Sequence, residues 1–363
     1  MRKYKASLWL RLYPDYALRP KLVLENFFTK KKYEVSDSTL PKLINFCSTF
    51  KSKNDITRYF ETCGYDASSV PTIISSLVKA KILISSGSDD SLIEAKTRFW
   101  EKNNWSHALD FYMSIRDYPF LDYTQPDAHN LDNHKMSEYF KDSSPPNIYK
   151  NYKTRVGSIS LFQNLNSFDK INIKKLLLEN VVDSSPSKLP LSKTQVSDIL
   201  FYTFGKTGTV KFPNQGEFLL KTSPSGGARH PIEAYVVILN SKLRKGVFHY
   251  SVEKNMLELI NSNVQTKKLK NIIHELKNGP PFEVKAIIIL SAIFERSMWR
   301  YREPRSYRVV LHDLGHLLET LKIVSKASNV KTYFGHGFQD QKLEKYLGID
   351  SETESVLKFA ALG

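Results

Sequence analysis

The sequence predicts an α+β protein, in which a sheet-and-helix domain follows a smaller, winged-helix-like domain. Three observations carry this reading. Residues 235–239 and 286–290 are short, unbroken apolar runs, the pattern of strands covered on both faces. Residues 307–325 place Val310, Leu314, Leu317, Leu318, Leu321 and Val324 on one helical side. Residues 38–85 read as helix, helix, turn, helix and short strand, the order of a winged helix.

The bulk properties bound the answer. A chain of 363 residues suggests two or three domains. With 41% hydrophobic and 12% aromatic residues it has material for real cores and does not read as disordered. No apolar run approaches the ~20 residues of a membrane helix, and the start, MRKYKASLWLRLYP, lacks the apolar core of a signal peptide. A net charge of +16 is compatible with nucleic acid, a membrane surface or an acidic peptide, but the lysines are scattered and identify none of these. Cys47 and Cys63 cannot build a disulfide framework or a zinc site, so the expectation is two buried, reduced thiols in a cytoplasmic protein, with no metal.

Taken in order, residues 1–35 suggest a strand or two ahead of the helices. Leu40, Leu43, Ile44, Phe46 and Cys47 mark the first helix, a second starts at Asn54 or Asp55, and a third spans residues 70–79. Residues 82–84 form a strand, and Ser85 to Asp90 would be the wing tip. The third helix carries almost no Arg, Asn or Gln to read bases, which argues against DNA and leaves open a peptide paired along a strand edge or a packing domain with no ligand. Trp100, Trp105, Leu109 and Tyr112 fit one side of a helix pair, and residues 122–152 turn polar and read as a connecting loop or lid. In the last part, residues 171–178 read as a helix, Ser192 or Thr194 caps another that ends at Gly205, residues 246–250 and 256–260 form a hairpin, and residues 355–362 close the chain as a strand. The expected division is 1–92, 93–157 and 158–363.

Three stretches have the makings of a site. In Ser223-Pro224-Ser225-Gly226-Gly227-Ala228-Arg229-His230-Pro231 the glycines let backbone amides approach a planar or anionic ligand, although an ordinary loop before a strand reads the same way. Gly335-His336-Gly337-Phe338 is a second bare turn, by itself also a helix stop. Between them, Arg300, Arg302, Arg305 and Arg308 are either a solvated basic loop or, with Arg305 or Arg308 at a helix start, a phosphate site. No Walker loop, zinc pattern or serine-nucleophile elbow occurs.

The segments SPSGGARHPIEAY, RSYRVVLHDLGH and GHGFQDQKLEKYLGID, in that order, resemble the SagB-type dehydrogenases. This branch of the nitroreductase-like flavoproteins oxidises azolines in ribosomally made peptides. The similarity runs over residues 95–363 and implies a nitroreductase-like FMN domain. It implies that Lys221, Ser223, Pro224, Ser225, Gly226, Gly227, Ala228 and Arg229 line one edge of the flavin and that Gly335, His336, Gly337 and Phe338 line another, with Arg305, Arg308 or Lys221 on its phosphate. It further implies a homodimer with the flavin at the interface, an N-terminal domain that captures the leader of a precursor peptide, and a cyclodehydratase complex, with no nucleic-acid or membrane partner.

Two departures matter. Where the family has an adjacent Lys-Tyr pair for substrate deprotonation, this chain has Arg300-Tyr301. A guanidinium stays protonated and cannot be a general base, so the catalytic pair reads as Tyr301 moving the proton beside a charged Arg300. Where the family has an Arg-Arg-Ser phosphate grip, this chain has Asn180-Val181-Val182-Asp183-Ser184-Ser185. The expected function is an FMN-dependent oxidation of thiazoline or oxazoline to the azole. The alternatives are reduction of a dehydroamino acid, or a catalytically degenerate partner that recruits peptide to a separate enzyme.

Overall fold

The structure, a computed structural model, describes residues 2–15, 21–152, 157–163, 168, 171, 172, 174, 176, 189–212 and 216–363. It divides into two units, Met1–Pro119 and Phe120–Gly363.

The N-terminal unit holds two small antiparallel sheets. One orders β5 (Lys51–Ser52), β1 (Lys3–Ala6) and β6 (Leu83–Ser85); the other orders β2 (Leu10–Asp15), β3 (Lys21–Asn26) and β4 (Lys31–Val35). Residues 3–35 thus form four strands where one or two were expected. Their short apolar runs alternate with charge, and Lys30 takes a positive φ of 63° in the β3–β4 turn. Helices α1 (Thr39–Phe46), α2 (Lys53–Thr62) and α3 (Val70–Lys79) bury Leu43, Ile56, Phe60, Val70 and Ile74 with Leu83 and Cys47. The start of α2 differs from the expectation: Ser52, not Asn54 or Asp55, is the cap, and Asp55 completes a capping box with it.

The stretch expected as a wing tip is also different. After β6 the chain turns at Gly87 (φ 75°), and Ser88 caps α4 (Asp89–Lys102), so no second wing strand follows. α4 and α5 (Ser106–Ser114) are the expected helix pair: Trp100 stacks on Tyr112 at 5.8 Å and Leu109 is buried, while Trp105 stays exposed. Of the two free thiols, Cys47 is buried but Cys63 is exposed, correcting the expectation of two buried cysteines.

The C-terminal unit begins with α6 (Ala128–Asp142), a helix inside the stretch read as a polar loop. Residues 93–157, expected as one linker, are therefore divided between the units at Pro119. The core of this unit is a seven-stranded antiparallel sheet. Its strands are β7 (Ile159–Ser160), β10 (Ile232–Ile238), β11 (Gly246–Ser251), β12 (Met256–Asn261), β13 (Ala286–Ile293), β14 (Thr332–Gly335) and β15 (Glu354–Leu362), after a separate hairpin of β8 (Lys206–Phe212) and β9 (Gly216–Lys221). They lie in the order β14-β15-β13-β10-β11-β12-β7. Every residue of β10 is buried, as its unbroken apolar run requires.

Alternate residues of the central strands face opposite helix layers. Ile232, Ala234 and Val236 pack with α7 (Lys193–Phe204) and α10 (Tyr307–Ala327). Val237, Ile287, Ile289 and Phe359 pack with α8 (Thr266–Ile272) and α11 (Asp340–Leu347). Each such fully buried Val, Ile or Phe side chain contributes about 1.5–3 kcal/mol. Ser192 caps α7 in a capping box with Gln195, and the helix ends at Gly205 as expected. The short helix α9 (Glu295–Met298) leads from β13 toward α10. The expected helix at 171–178 and the Asn180–Ser185 stretch fall largely or wholly outside the described residues.

Candidate active site

The first glycine turn joins β9 to β10. Gly227 sits at φ 60° and ψ 24°, and Ala228 and His230 also take positive φ, so the turn is tightly wound. One carboxylate organises it. Asp313, buried on α10, accepts the Ser225 hydroxyl at 2.5 Å and the Gly226 amide at 2.9 Å. Ser225 Oγ in turn accepts the His230 amide at 2.9 Å, and Ser223 donates to the Thr203 carbonyl at 2.7 Å. Sequence reading missed Asp313. Its signal was an acid at a core-facing position of α10, between Val310 and Leu317.

The glycines are needed for close approach. A Cβ at Gly226 would lie 2.2 Å from Val309, and one at Gly227 would lie 2.1 Å from the Tyr301 hydroxyl. Tyr301 therefore rests on bare backbone, with the Arg229 guanidinium beside it. Arg229 Nε is buried without a hydrogen bond among the described residues. Pro224 is exposed at the rim. Lys221 ends β9, and burial pushes its ammonium down to about 8, opposed by Glu233 and aided by Arg296. The hollow bounded by Lys221, Ser225, His230 and Asp313 is only about 10 Å³, room for about one water.

The arginine-rich stretch is not a solvated loop. Arg300 forks onto both oxygens of Asp132 on α6 at 2.8 Å, and Arg302 reaches Asp142 at 2.8 Å. Trp299 Nε1 donates to the Ser143 hydroxyl, and Arg305 lies over the Phe120 ring. Arg308 lies in the first turn of α10. The polar stretch before residue 152 thus straps Arg300 and Tyr301 in place.

Beneath the first turn lies a buried ionic cluster that sequence reading also missed. Arg296 donates to the His230 carbonyl at 2.9 Å, to Glu233 at 2.5 Å and to the Asn147 carbonyl at 3.0 Å. Glu233 also pairs with His249 Nε2 at 2.7 Å, and Glu258 stands 3.5 Å from His249 Nδ1. Burial opposes the charge on Glu233, but Arg296 and His249 outweigh it and hold the carboxyl down to about 2. Burial likewise opposes His249, and its two carboxylates hold it above the ordinary value. His230 is pushed down to about 3 by burial and then by Lys221, so it is neutral and donates Nε2–H to the Leu219 carbonyl at 2.8 Å.

The second glycine turn follows β14, and it too is held by one carboxylate. Glu275 accepts the amides of Gly337 (2.6 Å) and His336 (3.2 Å) and the Tyr333 hydroxyl (3.0 Å). A Cβ at Gly335 would lie 2.2 Å from Glu275, and one at Gly337 2.6 Å from it. Burial works against the Glu275 charge, but these hydrogen bonds prevail and lower its pKa. Phe338 packs against Phe359. The amides expected to face a ligand therefore already donate within the chain.

The structure brings Gly227, Arg229, Arg300 and Tyr301 together, but not the two turns. Tyr235, Ile289, Phe359 and Gly335 stand level across four adjacent strands. Three strand spacings separate β14 from β10 by about 14 Å, and Pro231 lies a further four residues along. A tricyclic ring set on the first turn of one chain does not reach the second turn of the same chain.

The donor set at the first turn suits a flavin through its cations, Lys221 and Arg229, and the Tyr301 hydroxyl, while the amides of Gly226, Ala228, Arg229 and His230 already donate within the chain. At the second turn it fits only where Glu275 yields the amides. Among the described residues no group of three or more His, Cys, Asp or Glu side chains could hold a metal, and no helix is long and apolar enough to cross a membrane.

Residues 188–363, which carry most of this sheet and the helices on both its faces, match the nitroreductase family. Among curated proteins, the chain is 28% identical to the trifolitoxin-processing protein TfxB of Rhizobium leguminosarum bv. trifolii, over 85% of this chain and 84% of that protein. It is 26% identical to the microcin B17-processing protein McbC of Escherichia coli, over 37% of this chain and half of that protein's length. Among solved structures it is similar to a chain of the E. coli microcin synthetase McbBCD complex with truncated pro-MccB17 bound. That match has 21% identity and a TM-score of 0.43, covering 75% of this chain and 97% of that one.

Proposed function

We propose that the protein is an FMN-dependent oxidoreductase that tailors a ribosomally made peptide, converting thiazoline or oxazoline rings to thiazole or oxazole. The observation that carries this is the Tyr301 hydroxyl held against the bare backbone of Gly227. A proton-carrying group there faces a surface on which a planar ring can lie. The peptide-processing relatives supply the substrate class. Bound FMN would supply a two-electron acceptor that is reoxidised by dioxygen.

The chain's own residues do the rest. Tyr301 moves the substrate proton at its hydroxyl oxygen. Arg300, locked on Asp132, holds Tyr301 in place and remains a cation. Lys221, Arg305 and Arg308 supply positive charge for the phosphate, and Ser223, Ser225, Gly226 and Asp313 keep the turn rigid. Because the two turns stand about 14 Å apart across the sheet, the reading includes a homodimer, each ring taking one turn from each copy. It also takes the N-terminal unit as the leader-peptide domain, supported by the order α1-β5-α2-α3-β6, and places the protein in the cytoplasm beside a cyclodehydratase.

Purified protein mixed with FMN and passed through a desalting column should carry a band near ~450 nm. It should then consume dioxygen with a thiazoline peptide. A colourless eluate would overturn the flavin reading. The second reading, a catalytically silent recruiting partner, is favoured by one observation, the occupation of the His336 and Gly337 amides by Glu275. Flavin binding without turnover on any azoline peptide would select it.

A further inference from the structure

A hollow of about 900 Å³ lies between α8 and α11, lined among others by Gln265, Lys267, Lys268, Lys342, Lys345 and Tyr346. Its character follows from how the two helices bury their apolar sides. Leu269 and Ile272 of α8 and Leu343 and Leu347 of α11 turn into one core. What remains to face outward is basic. α8 reads Thr-Lys-Lys-Leu-Lys-Asn-Ile and contains no acid. On α11, Lys342 and Lys345 stand three residues apart and share a face. The acids of α11 do not answer them. Glu344 is buried and accepts the Ser355 hydroxyl at 2.7 Å and the Val356 amide at 3.1 Å. Asp340 stands exposed at the helix start, outside the lining.

None of the four lining lysines forms an ion pair among the described residues. Like charges facing one another across a hollow raise the free energy of the empty state, and a counter-charge relieves it. A further donor waits in the same place. The Tyr346 hydroxyl is buried near the Gln265 backbone and makes no hydrogen bond of normal geometry among the described residues. Lining amides of Gln265 and Asn271 suit peptide backbone groups. The lining has no arginine, the residue that grips phosphodiesters bidentately, and no base-stacking array.

Gln339 in the lining stands two residues beyond Gly337 of the second glycine turn. It donates its amide to the Ile272 carbonyl at 3.0 Å, and Ile273 bridges to Phe338. We propose that this hollow binds an acidic segment of the peptide on which the protein acts, anchoring it beside the second turn. This rests on the function proposed above and adds the chemistry by which the substrate is held.

The test uses the full chain and a fluorescein-labelled synthetic peptide of alternating Glu and Gly, followed by anisotropy at low salt. The Glu peptide should bind, weaken as salt rises, and lose about tenfold or more in affinity with Lys268→Glu/Lys342→Glu. The same peptide with Gln for Glu should not bind. The milder Lys268→Gln/Lys342→Gln pair should lose less, and it stands in if charge reversal prevents folding. Equal affinity of wild type and variant overturns the proposal. So does tighter binding of a single-stranded RNA of equal charge that is lost in the same variant. Recording the FMN band on each protein separates the two failures. Flavin retained with peptide binding unchanged removes the hollow alone; no flavin in the wild type removes the parent reading.

Discussion

The two glycine turns are built to the same plan and differ in one respect. Each is held by a single carboxylate that collects hydrogen bonds from a turn too crowded for a Cβ. Asp313 does this from inside the core, while Glu275 does it from a half-exposed position on the His274–Lys277 turn. A buried carboxylate cannot turn to water for new partners, so releasing its donors strands a buried charge and the bond is a permanent fixture. A carboxylate at the surface can exchange its donors for water or a ligand at little cost. The first turn is therefore a fixed platform and the second an exchangeable one.

Acid should have the largest effect, because it dismantles what lies beneath the platform. Glu233 and Glu258 are held near 2, below an ordinary 4.5, so the stability they contribute is present above that value and lost as pH falls through about 2. His249 is raised above its ordinary 6.5, so its contribution is complete below 6.5 and lost as pH rises through the folded value. His230, held neutral with its pKa down at about 3, contributes stability that is present above 6.5 and lost as pH falls through about 3, so urea midpoints measured against pH should be highest near 6.5 and collapse toward pH 2. Arg296 ties Glu233 to the His230 carbonyl, so the first turn should open with the collapse. A flat profile between pH 5 and 2 would break the idea that this cluster supports it.

Next in size is Asp313→Ala. It strands the Gly226 amide and the Ser225 hydroxyl, at a cost of about 3 kcal/mol. Denaturant titration should show that loss, with FMN uptake lost too. Asp313→Asn keeps one acceptor and should cost less. If the alanine variant is as stable as wild type, the platform is not what holds the turn.

Tyr301→Phe tests the chemistry without touching the platform. The ring and its packing remain, so stability and the flavin band should be unchanged, while the rate on a thiazoline peptide falls about a hundredfold. Undiminished turnover would remove Tyr301 from the reaction.

Much of the fold was legible because it is written locally. The apolar runs of β10 and β13, the β11–β12 hairpin and the stripe of α10 each carry their own period. Gly226, Gly227, Gly335 and Gly337 were equally visible, since only glycine fits such crowding. What was not legible is what the turns are held by. Asp313 lies 87 residues from Gly226, Glu275 62 from Gly337 and Asp132 168 from Arg300. A carboxylate that acts over such a separation leaves no periodicity near its target. Helix α6 was missed for a related reason. Its sequence has no apolar stripe, and the contacts of Trp299, Arg300 and Arg302 with its residues and Ser143 hold it in place.

The smallest effect expected is also the sharpest test of the difference between the turns. Glu275→Gln removes the charge and the acceptor of the Tyr333 hydroxyl but keeps a carbonyl that can accept the two backbone amides more weakly. Because His336 is exposed and Gly337 and Tyr333 are only half-buried, water or a ligand replaces what is lost, and stability should fall by only about 1 kcal/mol. The His336 and Gly337 amides are then less firmly claimed, so FMN should bind severalfold tighter, the equivalent of about 1 kcal/mol moved from the carboxylate to the ligand. Fluorescence titration with FMN reads that change directly, and Asp313→Asn, which loosens the fixed platform, should move the affinity the other way. Opposite signs from two carboxylate-to-amide changes would establish that the turns do different work. Weaker flavin binding in both would show that Glu275 is as structural as Asp313.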